Sequence, residues 1–143
     1  MKKLITILLL SGCNFLDPPT HVTDELQPFV DQVVYEYEIR GIRVEPIKVV
    51  FADLDGSSGR YENLPWERKI MIDKTFFHEN IGKWDYDILK TMAHEFGHYQ
   101  GRDHKNKEIE FCKPVSLMCT KCCHIGWEEN YEYYFNELVG VEL

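Results

Sequence analysis

Eleven residues, HEFGHYQGRDH at positions 94–104, constrain this chain more than any others, because they hold three of its six histidines at fixed spacing. Histidines four apart on a helix stand one turn above each other, so His94 and His98 share a face. Gly101 can adopt the left-handed conformation that ends a helix, and a chain turning there can bring His104 back to the other two. The periodicity predicts a helix capped by Asp85 and running through Tyr99. Ile88, Met92, Phe96 and Tyr99 form its core stripe, while His94 and His98 lie nearly opposite with Asp87 and Thr91.

That arrangement has a chemical use. Two imidazoles one turn apart reach a single ion at about 2.0–2.1 Å, and His104 supplies a third ligand. Three protein ligands leave a fourth position open to water, which marks a catalytic zinc site rather than a structural one. Glu95, between the ligands, is placed to act as general base on a water activated by the ion, and amide hydrolysis is the reaction those roles describe. Requiring Gly101 and His104 at these offsets, at the chain's own frequencies, removes chance matches to a bare H-E-x-x-H by a further factor of roughly 400.

The run HEFGHYQGRDH resembles the long zinc-binding motif of the metzincin metallopeptidases, glycine included. Ser116-Leu117-Met118 resembles that family's methionine turn, which makes Met118 the residue expected beneath the metal. The resemblance implies a small α+β domain: a mixed sheet, an active-site helix and a C-terminal helix, with Zn2+ as cofactor and a peptide or protein as substrate. It also implies an edge strand that pairs with extended substrate, for which residues 68–73 are the candidate. Lys105, after the third histidine, matches no large subgroup, and Thr120 stands where some members carry a tyrosine. An equivalent tyrosine must come from elsewhere, Tyr131 or its neighbours. Small bacterial zincin-like lipoproteins with a Ser-x-Met turn have a similar pattern. Two other readings compete: a non-catalytic zinc-binding envelope lipoprotein, and a metal-dependent endoribonuclease resembling the rRNA-maturation type. Glu95 counts against both.

The N-terminus bears on location. MKK, an apolar run at 4–10 and then Ser11-Gly12 read as an export signal too short to span a bilayer. The junction Leu10-Ser11-Gly12-Cys13 resembles the bacterial lipobox, which makes Cys13 the lipidated residue and residues 1–12 the signal. Residues 13–23, with a Pro-Pro pair, read as a tether, and residues 24–143 as one metallopeptidase domain. A hydrophobic fraction of 44% suits a single compact core. The formal charge of −8 grows by two when Lys2 and Lys3 leave with the signal, which disfavours nucleic acid as a partner. The expected partners are substrate and a membrane reached through the lipid, with a monomeric domain outside the cytoplasm.

Export lets the remaining cysteines, Cys112, Cys119, Cys122 and Cys123, form disulfides. Adjacent residues about 3.8 Å apart cannot readily bridge, so Cys112 joins Cys122 or Cys123 and Cys119 takes the other. A second metal site at Cys119-x-x-Cys122-Cys123-His124 shows only one ligand pair. Elsewhere, Leu26, Phe29, Val30, Val33, Val34 and Tyr37 mark an amphipathic helix, begun by Thr23 or Asp24 and closed before Gly41. Residues 46–54 and 68–73 read as strands, and Asp53-x-Asp55-Gly56 as a solvated turn. His21 and His78 are packing or surface residues. Trp127, Tyr131, Tyr134, Phe135 and Leu138 give a C-terminal helix with an aromatic core face.

Overall fold

A computed structural model describes residues 20–104, 117–118 and 129–140. The signal, Cys13, Lys105, Thr120, Trp127 and the cysteines at 112, 119, 122 and 123 lie outside the described residues. A short 3-10 turn, Asp24–Leu26, leads into α1 (Gln27–Glu38), followed by β1 (Lys48–Ala52), β2 (Gly59–Leu64), β3 (Glu67–Asp73), α2 (Lys74–Asn80), α3 (Asp85–Tyr99) and α4 (Tyr131–Val139). The chain is an α+β domain around a three-stranded mixed sheet.

Helix α1 follows its expected stripe, with Pro28 in the first turn and Leu26, Val30, Val33 and Tyr37 buried. Thr23 precedes the 3-10 turn but makes no side-chain cap. Gly41, with φ +78°, closes the region in the left-handed conformation that glycine adopts without steric cost. The strand order is β1-β3-β2, with β1 parallel and β2 antiparallel to β3. As the middle strand, β3 is covered on both faces, so Met71 is buried along with Ile70 and Ile72.

Residues 68–73 are therefore not the edge strand expected to receive substrate, because β3 has a neighbour on each side. That position belongs to β2. The other edge is partly closed: the Val49 N–H donates to the His21 carbonyl at 2.9 Å, and the Thr23 N–H donates to the Val49 carbonyl at 2.9 Å. Residues 21–23, read as the end of a tether, thus run beside β1 and bridge to it at Val22.

Two elements carried no clear signal in the sequence. Strand β2, GRYENL, is a polar edge strand whose burial does not alternate cleanly. Helix α2 is seven residues long, too short for periodicity, and its N-cap Asp73 is also the last residue of β3. The Asp73 carboxylate accepts from the Phe76 and Leu54 N–H groups, at 2.8 and 2.9 Å, so one side chain fixes both the helix start and the loop after β1. Those N–H donors hold its pKa below the ordinary aspartate value.

Helix α3 sits at the centre, with Ile88, Met92, Ala93 and Phe96 fully buried against α1 and the sheet. Its N-cap is Trp84, not Asp85. Asp85 occupies the first helical position, and its carboxylate accepts from the Gly82 N–H at 2.6 Å. Tyr134, Phe135 and Leu138 of α4 complete the core as the aromatic stripe implied. Where α1 meets α4, Arg40 bonds Glu36, Glu132 and Asn136. Tyr131 belongs to this network rather than to the histidines: its hydroxyl donates to Glu36 at 2.9 Å and accepts from Gln32 at 3.1 Å. No helix among the described residues is long and apolar enough to cross a membrane.

Candidate metal centre

The three histidines of the motif come together. His104 Nε2 lies 3.2 Å from His94 Nε2 and 2.9 Å from His98 Nε2. Nitrogens bound at 2.0–2.1 Å around a tetrahedral ion stand about 3.3 Å apart, so the spacing is close to that of a ligand set. Among the described residues, this is the group of histidine, cysteine and acidic side chains with ligand atoms near enough to hold one metal ion. His94 and His98 are half-buried and His104 is exposed.

Each piece of this geometry has a local cause. The helix ends at left-handed Gly101, φ +84°, where the Gly101 N–H donates to the His98 carbonyl and the Arg102 N–H to the Gly97 carbonyl, each at 2.9 Å. This paired closure turns the chain back and carries His104 over the helix. Nothing crowds the Cβ position of Gly101, so the glycine is required for its backbone angle rather than for space.

Two backbone carbonyls orient the rings. His94 Nδ1–H donates to the Leu117 carbonyl at 2.5 Å and His98 Nδ1–H to the Arg102 carbonyl at 2.8 Å. A carbonyl only accepts, so both rings carry their proton on Nδ1 and turn the Nε2 lone pair towards His104. Burial pushes the His98 pKa below the ordinary histidine value, against the opposing pull of the Arg102 carbonyl, and so favours the neutral, ligating form. Three neutral imidazoles suit zinc and do not suit calcium or magnesium, which select oxygen.

Comparison with protein-family models, with curated proteins and with solved structures returns no match. The metzincin likeness rests on the residues of the chain alone.

Glu95 is 6% exposed and borders two clefts, one lined also by His94 and His104 and the other by His98 and His104. Burial raises its pKa to about 7, opposed by the Tyr61 backbone N–H and by Arg60. A cation on the histidines acts in the same direction as those two groups. Strand β2 reaches the carboxylate because Gly59 has no side chain: a Cβ there would lie 2.9 Å from Glu95 Cγ and Oε1 and from Thr91 Cγ2.

Met118 is fully buried against the helix between the two ligands. A Cβ on Gly97 would collide with the Met118 sulfur and come within 2.9 Å of Leu138 Cδ1. The residue expected beneath the metal thus lies under the turn that joins His94 to His98, and the preceding residue supplies the carbonyl for His94.

Several participants escaped the sequence reading: Gly59, Arg60, the Tyr61 N–H, and the carbonyls of Leu117 and Arg102. Backbone groups leave no residue-type signature. Gly97 did leave one, since a mid-helix glycine costs about 1 kcal/mol in propensity and is retained where something packs closely.

Proposed function

We propose that this chain is a zinc-dependent metallopeptidase with a metzincin-like site, held at the outer face of a membrane by lipid on Cys13. The observation that carries the reading is the convergence of three Nε2 atoms, two of them oriented by backbone carbonyls, beside a buried glutamate in an open cleft. His94, His98 and His104 would hold the ion. When bound, zinc supplies the Lewis acidity that polarises a carbonyl and lets water attack at neutral pH.

Glu95 takes a proton from the attacking water and delivers it to the leaving amine nitrogen. Its burial and the Tyr61 N–H fix the carboxylate at the cleft. The edge strand β2 offers an extended peptide a backbone to pair with. Exposed Arg60 lines one of the two clefts and Lys90 the other. With lipid on Cys13, the seven Cα–Cα steps to Thr20 would reach at most about 25 Å and would hold the domain close to the bilayer.

The test is zinc content and peptide hydrolysis of the mature chain, wild type against Glu95→Ala. Zinc in both with turnover reduced about 1,000-fold in the variant supports the mechanism. Equal turnover sinks it, and zinc without turnover in either, across a broad peptide library, favours a zinc-binding lipoprotein.

A further inference from the structure

We propose that Arg102 is a positioning residue that couples the orientation of His98 to the C-terminal helix α4. The inference rests on the metal-site reading and concerns how that site is held in place.

Arg102 joins the two elements by both its backbone and its side chain. Its N–H closes the end of α3 on the Gly97 carbonyl, and its own carbonyl accepts the His98 Nδ1–H at 2.8 Å. Its guanidinium points the other way. Nη2 donates to the Glu137 carbonyl at 2.5 Å and lies 3.6 Å from the Glu137 carboxylate. A Cβ on Gly140, the left-handed cap of α4, would sit 3.4 Å from Nη1. The cation therefore rests on the last turn of α4, at the negative end of the helix dipole.

The side chain of Arg102 is 27% exposed, yet part of its guanidinium is out of water. Among the described residues, Arg102 Nε is buried without a hydrogen-bond partner, as is the hydroxyl of Tyr37, whose pKa is raised by burial and pulled back by the Arg102 charge. An arginine serving solubility would keep Nε in water. This one leaves it unpaired to reach α4. On another side, Leu138 of α4 packs at Gly97, the residue whose carbonyl Arg102 caps. A shift of α4 therefore moves the Arg102 carbonyl, and with it the ring of His98.

Coupling of this kind is reciprocal, so an ion that fixes His98 also steadies α4. In the mature wild-type chain, α4 amides are expected to gain hydrogen-exchange protection when Zn2+ is added. Zn2+ affinity, measured by chelator competition, should fall about 10-fold or more in Arg102→Met, the loss typical when the partner that orients a ligand is disturbed, and recover in part in Arg102→Lys. Arg40→Met loosens α4 at its other contact and should lower the unfolding midpoint while leaving affinity within about twofold of wild type. Wild-type affinity in Arg102→Met, an equal loss in Arg40→Met, or unchanged α4 exchange on adding Zn2+ would each overturn the coupling. Failure of the wild-type chain to bind Zn2+ would overturn the metal site itself.

Discussion

Two of the polar clusters among the described residues are built on opposite principles. At the seam of α1 and α4, donors and acceptors match: the side chains of Arg40 and Glu36 are 6% and 5% exposed, and Asn136, Glu132, Tyr131 and Gln32 complete the set. At the end of α3, His104 Nε2 lies within hydrogen-bond distance of the Nε2 atoms of His94 and His98, all three being acceptors in their ligating form, and His104 can donate to only one of the other two. A matched cluster holds helices together. Gathered acceptors call for a cation.

Substitutions should separate the two. His98→Ala removes one of three ligands and should weaken Zn2+ binding by at least about 100-fold in a chelator competition, while the metal-free protein keeps its urea midpoint. Glu36→Ala should behave in reverse. It leaves the buried Arg40 charge without one of its two carboxylate partners, the buried one, and should cost about 3 kcal/mol in urea unfolding, with Zn2+ affinity unchanged. If Glu36→Ala instead abolished zinc binding, the clusters would not be separate devices.

Smaller effects sharpen the same contrast. Gly97→Ala forces a methyl against Met118 and Leu138 and should cost about 1–3 kcal/mol by overpacking, seen in thermal or urea unfolding. Gly59→Ala meets the side chains of Glu95 and Thr91 at the cleft rather than the hydrophobic core. It should displace the Glu95 carboxylate and lower peptide turnover about 10-fold with zinc content intact. Unaltered turnover would show that the approach of β2 to Glu95 does not matter to the reaction.

How much of this was legible in the sequence follows the same division. Metal ligation needs specific residue types at fixed offsets, so His94, His98, His104, Gly101 and Met118 could be found from spacing and resemblance. The core stripes of α1, α3 and α4 were legible because burial imposes a period. Strand β2 was not, because an edge strand beside a cleft is freed from alternation, and without it β3 was mistaken for the edge. Asp85 looked like an N-cap by residue type, yet its carboxylate turned back to Gly82, a choice made by the turn at Gly82 rather than by the helix. The carbonyls of Leu117 and Arg102 orient the ligands by backbone position, and a backbone group leaves no signature in residue type.

In the proposed site, zinc is held by three imidazoles with one position left open. X-ray absorption at the zinc edge, on the mature chain with one equivalent of Zn2+, tests it most directly. Three imidazole nitrogens and one oxygen at about 2.0–2.2 Å are expected. Sulfur in the coordination shell at about 2.3 Å, or zinc still bound tightly when all three histidines are replaced, would contradict it.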